Sequence, residues 1–224
     1  MAERRKVALI TGASSGLGTA VAEGFHRAGY ALVLHAFSNV DALSVLAERI
    51  VSDNGECESV LADLRDPEAP QQIIDCVSRR FGALDVLINN ASTFPDKQLR
   101  RSTHDFLNES LAVNARAPFF LMQTAHPLLS TAASVGGSTG CIINLLDESI
   151  SAPFLSRAAH SVSKSALAAV TTLGAESFRG KVRVYGLELS TLEAAEVPKV
   201  VALALTLAKG EQEPATVGNI LKIY

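Results

Sequence analysis

Short apolar runs alternate along this chain with longer stretches whose apolar residues recur at helical spacing. The runs predict strands at Val7 to Thr11, Ala31 to Ala36, Glu58 to Ala62, Val86 to Asn90, Gly140 to Leu146, Val182 to Leu187 and Asn219 to Ile223. The stretches between them predict helices near 17–28, 40–53, 68–81, 102–130, 157–178 and 194–208. A strand followed by a helix, repeated from end to end, means parallel strands joined by helical crossovers. The predicted fold class is therefore α/β, a doubly wound, seven-stranded parallel sheet with helices on both faces. No internal repeat or low-complexity linker divides the chain, so 1–224 reads as a single domain. The loosest segments are expected at Ser134 to Thr139, with its Gly136-Gly137 pair, and at Lys209 to Pro214.

Composition narrows what such a domain does. With 224 residues, 48% of them hydrophobic, and a formal net charge of −3, the chain can bury one sizeable core. Basic residues are scattered, which argues against nucleic acid as a partner. The cluster Arg4-Arg5-Lys6 is too short for an electrostatic footprint and is expected to cap the outer end of the first strand. Cys57, Cys76 and Cys141 are an odd set at unrelated spacings, which fits buried thiols in a reducing cytoplasm better than a disulfide frame, and no metal-ligand pattern is present. The first apolar run breaks at Thr11-Gly12, too early for a secretory core, and no stretch is long enough to span a bilayer. These features predict a soluble, cytoplasmic protein.

The turn Thr11-Gly12-Ala13-Ser14-Ser15-Gly16-Leu17-Gly18, directly after the first strand, has the make-up of a nucleotide cradle. Gly12 lets the backbone leave the strand tightly, while Gly16 and Gly18 remove side chains where a diphosphate and the next helix approach. The helix that follows aims free amide groups at that diphosphate. The spacing is G-x-x-x-G-x-G, so the turn alone also fits a plain connection. Ligands on a Rossmann-like sheet bind at the carboxyl ends of the strands, and several chemistry-bearing residues are predicted there. Asp63 follows the third strand, Asn89-Asn90-Ala91-Ser92 the fourth and Asp147 the fifth. His160 and Lys164 stand four apart near a helix start, on one face. Val162, Ala166, Ala169, Val170 and Leu173 occupy other parts of that helix and are expected to pack on the sheet. Singly, each polar residue has a bland alternative: Asp63 can cap a turn, Asn89-Asn90 can be a turn pair, Lys164 a solvated charge and His160 a satisfied core histidine. Their joint placement carries the functional reading.

With those residues in order, the chain resembles a short-chain dehydrogenase/reductase over nearly its whole length. Thr11-Gly12-x-x-x-Gly16-x-Gly18, Asp63-Leu64, Asn89-Asn90-Ala91, Asn114 and Lys164 match that family's order and spacing. The resemblance implies that Asp63 and Leu64 meet the adenine, that Asn90 supports the central strands, and that Lys164 holds the nicotinamide ribose. It implies further that Asn114 anchors a water relaying protons to Lys164. Pro118 supports that last role, because it has no amide hydrogen for the Asn114 carbonyl. The family's helices carrying Asn114 and Lys164 form its subunit contact, so a homodimer or homotetramer is implied.

Two departures bear on the substrate. His160 stands where the family has tyrosine, and Asp147 where it has serine. With Asn89-Asn90-Ala91-Ser92-Thr93-Phe94, Asn114-Ala115-Arg116-Ala117-Pro118-Phe119-Phe120-Leu121 and Ile142-Ile143-Asn144-Leu145-Leu146-Asp147, the chain resembles the pteridine reductase branch. There the phenylalanine matching Phe94 stacks the pterin, beside Ser92, and a carboxyl accepts hydrogen bonds from the ring or helps protonate N5 while hydride reaches C6. Phe94 as a core residue is the alternative. An imidazole starts near a pKa of about 6.5 and donates only while charged. His160 is thus expected to donate a proton, or to pass one between solvent and Asp147, in an enzyme favouring neutral or slightly lower pH.

Gly16 stands where pteridine reductases carry an arginine, and the segment Gly186-Leu187-Glu188-Leu189-Ser190-Thr191 runs into the last helix without the family's long substrate loop. A short lid after about residue 189 and an open site follow. After the second strand, His35-Ala36-Phe37-Ser38-Asn39 has no acid for a ribose hydroxyl, so Ser38 and Asn39 favour the 2′-phosphate of NADP. The expected cofactor-binding set is Thr11, Gly12, Ser14, Ser15, Gly16, Leu17, Gly18, Ser38, Asn39, Asp63, Leu64, Asn90, Ala91, Ser92 and Lys164. Asp147, His160, Lys164 and Asn114 are expected to carry catalysis, and Ser92, Phe94 and Asp147 to touch the substrate. The leading expectation is an NADPH-dependent reductase of a dihydropterin or folate-like small molecule. A carbonyl reductase with an altered acid, or a cofactor-binding protein that has lost catalysis and acts as sensor or partner subunit, are the alternatives.

Overall fold

A computed structural model describes residues 4–136, 139–190, 195–211 and 220–223, without the side chains of 133–136. All seven predicted strands form: β1 (Val7–Thr11), β2 (Ala31–Ala36), β3 (Cys57–Leu61), β4 (Val86–Asn89), β5 (Gly140–Asp147), β6 (Val182–Leu189) and β7 (Ile220–Ile223). They make one sheet in the order β3-β2-β1-β4-β5-β6-β7, every pair parallel. The helices are α1 (Gly16–Arg27), α2 (Val40–Ser52), α3 (Ala69–Phe81), α4 (His104–Leu111), α5 (Ala117–Gly136), α6 (Ala158–Ser177) and α7 (Val197–Lys209).

The central strands are apolar at successive positions because both faces are covered. Ala8, Ile10, Val86, Ile88 and Ile143 point into one core with Val21, Phe25, Leu43, Leu46, Val200 and Leu207, so α1, α2 and α7 cover that face. Leu9, Leu87 and Ile142 point the other way, onto Ile73, Val77, Leu121, Ala125 and Leu129 of α3 and α5, with Val170 of α6 half-buried beside them. Arg4 does close the outer end of β1: its guanidinium pairs with Asp85 at 2.6 Å, and Asp85 also accepts from the Val7 amide at 2.7 Å.

Several boundaries differ from the sequence reading. The stretch 102–130, predicted as one helix, is α4, then a π-turn over Ala112–Arg116, then α5. Pro118 lacks an amide hydrogen, and the Ala117 amide bonds the Ala112 carbonyl five residues back, so the ladder is widened there. Asp147 is the last residue of β5, paired with Leu189 of a longer β6, and does not follow the strand. Helix α6 also turns a different face inward. Val162 and Leu173, expected on the sheet, are 50% and 59% exposed, while His160, Ser163, Lys164, Leu167, Thr171 and Gly174 are buried. An apolar side chain outside and a lysine inside reverse the usual preference, which marks this helix face as a place where polar chemistry outweighs simple burial. The segment 134–139 is helical as far as Gly136; residues 137–138 of that loose segment, 191–194 of the shortened lid with the first residue of the last predicted helix, and 212–219 lie outside the described residues.

Candidate active site

The sheet order reverses between β1 and β4, and a cleft of about 400 Å³ opens at their carboxyl ends. Gly12, Ser14, Ser15, Ser38, Asp63, Leu64, Ala91, Ser92 and Phe94 line it, which brings the expected cofactor residues from four loops to one groove. Gly12 has φ +66°, and a Cβ there would come 2.8 Å from the Ala91 backbone. At Gly18 a Cβ would overlap the Gly12 carbonyl oxygen and meet Asn90 Nδ2 at 2.7 Å, whereas nothing lies within 4 Å of one at Gly16. Those spacings fit a dinucleotide: packing demands glycine at 12 and 18, while 16 has open space around it at the start of α1.

Two expected cofactor residues turn inward to hold the cradle. Thr11 is buried, its hydroxyl accepting from the Asn90 and Ala91 amides at 3.0 Å each, and Asn90 Nδ2 donates to the Thr11 and Gly12 carbonyls at 2.8 and 3.0 Å. Leu17 is half-buried against the core. His35 of β2 was not singled out in the sequence. It is buried, with Nε2 3.0 Å from the Ala62 carbonyl and Nδ1 3.4 Å from the Gly12 amide, so the neutral ring with its proton on Nε2 serves both contacts. Burial, partly opposed by the Ala62 bond, lowers its pKa and favours that neutral form.

At the end of the groove beside β3, Asp63 is bound by Arg65 through the main-chain amide and the guanidinium, 2.7 Å at the closest. Its carboxyl is lowered chiefly by those Arg65 hydrogen bonds. Arg65 in turn lies 5.0 Å from the centre of the Phe37 ring. Ser14 Oγ donates to the Ser38 carbonyl at 3.2 Å, and Asn39, at φ 60°, reaches the Ser14 carbonyl at 3.4 Å.

The other end is a buried polar cluster. His160 Nε2 meets Asp147 Oδ2 at 2.7 Å, and Nδ1 faces the Thr93 carbonyl at 3.0 Å. A carbonyl only accepts, so Nδ1 carries a hydrogen, and the exchangeable proton of the pair lies between Nε2 and Asp147. Burial raises the Asp147 carboxyl, but hydrogen bonds from His160 and the Ser149 amide, with the charges of Lys164 and His160, outweigh it and bring the pKa to about 2. Lys164 Nζ donates to the Leu145 carbonyl at 2.7 Å, and burial lowers its pKa against the pull of Asp147. Asn114 completes the cluster: Oδ1 accepts from the Thr93 amide at 2.8 Å, while Nδ2 donates to the Thr93 carbonyl and to Ser163 Oγ. Thr93 and Ser163 also went unnoticed in the sequence. Their signal was only position, one beside Asn90-Ala91-Ser92 and one beside Lys164.

Phe94 is not a core residue. It is 44% exposed, lines the groove, sets its ring edge-on to His160 at 4.2 Å and carries the Arg157 guanidinium 3.7 Å from its ring centre. The side chain of Asp147 is 22% exposed and that of His160 only 2%, so the carboxylate is the outward member of the pair.

Fold and groove together define a doubly wound α/β protein of the Rossmann type. The chain belongs to the short chain dehydrogenase family, whose pattern matches residues 6–202. It is 37% identical over 180 residues to an uncharacterized oxidoreductase of Mycobacterium tuberculosis (strain CDC 1551 / Oshkosh), covering 80% of this chain and 66% of that one. It is 31% identical to pteridine reductase 1 of Leishmania tarentolae, covering 80% of this chain and 74% of the relative. Among solved structures, a metagenomic short-chain oxidoreductase in complex with NADP superposes with a TM-score of 0.85 at 29% identity, covering 97% and 96% of the two chains. An NADH-dependent reductase responsible for alginate metabolism, at 20% identity and TM-score 0.88 over 98% and 96% of the two chains, shares the fold. The chain spans 66%, 62% and 61% of the lengths of the first three curated relatives. Among the described residues, no helix is long and apolar enough to cross a membrane.

Proposed function

We propose that this chain is an NADPH-dependent reductase acting on the C=N bond of a dihydropterin or folate-like substrate. When bound, a reduced nicotinamide supplies the hydride; the chain's own residues do the rest. Gly12, Ser14, Ser15, Gly16 and Gly18 take the diphosphate, Asp63 and Leu64 the adenine, Ala91 and Ser92 the middle of the groove, and Lys164 the nicotinamide ribose. Ser38 and Asn39 meet the 2′-phosphate, and Arg65, stacked toward Phe37, brings the cation that the segment after β2 lacks. NADP in the metagenomic relative supports this choice of cofactor.

The observation that carries the reading is the Asp147–His160 pair, 2.7 Å apart with Nδ1 fixed on Thr93. Asp147, the exposed member, meets the substrate nitrogen; His160, behind it, holds the proton that Asp147 passes on. As C6 accepts the hydride, the one proton shared by His160 Nε2 and Asp147 passes across the carboxylate to N5, which leaves Asp147 ionised and His160 neutral with its hydrogen on Nδ1. The Leishmania relative's name agrees with this substrate class. Phe119, Phe120, Val162 and Leu173, all well exposed on α5 and α6, give a surface for self-association into a dimer or tetramer.

Steady oxidation of NADPH with dihydrobiopterin or dihydrofolate tests the reading. Asp147→Asn and His160→Ala are each expected to lower kcat by about 100-fold or more with NADPH affinity kept. Unaltered turnover in both variants defeats it, and turnover of simple ketones instead points to a carbonyl reductase. A second reading, a cofactor-binding sensor without catalysis, draws on the burial of His160 and Lys164, 1% and 5% exposed with their hydrogen bonds already made. It requires tight NADPH binding and no turnover on any substrate.

A further inference from the structure

We propose that Arg157 is an anion anchor at the mouth of the site, and that the substrate is a flat heterocycle bearing a carboxylated tail. This rests on the reductase reading above and sharpens its substrate class: a folate-type molecule over a pterin with a neutral polyol tail.

Arg157 is held in place by aromatic rings and not by an acid. Its guanidinium covers one face of Phe94 at 3.7 Å, and Phe94 packs edge-on to Phe154 with centroids 6.3 Å apart. Other arginines of this chain, such as Arg4, Arg65 and Arg179, meet a carboxylate. Among the described residues Arg157 meets none, and its Nε is buried without a hydrogen-bond partner. An arginine has five donors in a rigid fork, and leaving a buried one unmet is costly. A side chain fixed on a ring face with donors unspent is preorganised for a planar anion, which it binds through two parallel hydrogen bonds.

The surroundings carry the same sign. Lys97 passes beside the start of α6, its carbonyl accepting from the Ala158 amide at 3.1 Å, and Arg100 and Arg101 follow in a 3-10 turn. None of these three cations is paired with an acid among the described residues, although Asp96 and Asp105 flank them in sequence. In a chain of net charge −3, Arg157 thus keeps an acid-free cation on the ring of Phe94, which lines the groove. A polyol tail leaves that charge unanswered; a benzoyl-glutamate tail answers it with carboxylates.

The test compares dihydrofolate with dihydrobiopterin at saturating NADPH. Arg157→Gln is expected to lower the ratio of their kcat/KM values about tenfold or more, chiefly through the KM for dihydrofolate, and Arg157→Lys to recover part of it. Calorimetry with 4-aminobenzoyl-glutamate, the tail without the pterin, reads the anchor apart from turnover: binding that weakens in Arg157→Gln is expected. Equal binding and an unchanged ratio overturn the proposal. A larger Arg157 effect on a phosphate-tailed dihydropterin than on dihydrofolate overturns the carboxylate assignment. If the tail binds through Arg157 but no pterin turns over, the pterin reading fails and the anchor stands; if both pterins turn over with the ratio unmoved, the reverse holds.

Discussion

The two ends of the groove are built by opposite means. At the end beside β1, β2 and β3 the backbone does the work: Gly12 and Gly18 allow chain to approach chain, while the ion pair of Asp63 and Arg65 stays partly in solvent, 31% and 46% exposed. At the end beside β5 and α6 side chains do it: Asn114, Ser163, His160 and Lys164 are buried, and their polar atoms close on Thr93, Leu145, Asp147 and one another. Surface pairs in water contribute little to stability, whereas buried groups are costly once a partner is lost. The first end therefore tolerates exchange of side chains but not of backbone room, and the second the reverse.

The largest effect is expected from taking away that backbone room. Gly18→Ala places a methyl on the Gly12 carbonyl and on Asn90, and should cost about 3 kcal/mol in denaturant unfolding and abolish NADPH binding by fluorescence. Gly16→Ala, with open space around it, is the matched control and should stay within about 0.5 kcal/mol. A stable Gly18→Ala protein that binds NADPH erases the contrast. At the end beside β5 and α6, the Asp147 carboxyl is held at about 2 against 3.8 for a free one. A carboxyl so depressed stabilises the fold above its ordinary pKa and loses that contribution as pH falls through its folded value. Unfolding free energy should drop by about 2 kcal/mol between about pH 4 and pH 2, and Asp147→Asn should remove that slope. A parallel slope in the variant assigns the acid sensitivity elsewhere. The smallest change is expected at the exposed ion pair: Arg65→Ala should shift the NADPH over NADH preference by about tenfold or less, measured as the ratio of dissociation constants, with little loss of stability. Lost folding there breaks the comparison from the other side.

The same contrast explains what the sequence made legible. Glycine spacing after an apolar run reports backbone constraints directly, so the cradle, the strands and the place of Asp63 and Asn90 were readable. Asp147, His160 and Lys164 were readable as candidates because they stand at strand and helix ends. Thr93 was not, since a main-chain carbonyl has no residue signature, and any residue at that position presents one. Val162 and Leu173 misled because periodicity assumes an apolar inner face, and α6 turns His160, Ser163 and Lys164 inward instead. Arg65 was not singled out, because its contact with Phe37 joins the loop after β3 to the loop after β2, a contact across strands that linear spacing does not encode.

The π-turn at Ala112–Arg116 also sets a phase. Each residue of an α-helix advances about 100° around the axis, so the one extra residue in that turn rotates all of α5 relative to α4 by about that angle. That rotation presents Leu121, Ala125 and Leu129 to the sheet and leaves Phe119 and Phe120 outside, each 42% exposed. Shortening the turn by a single residue would swing Phe119 toward the core and Leu121 toward water. The widened turn is thus a screw thread that fixes which side of the longest helices is available to another molecule.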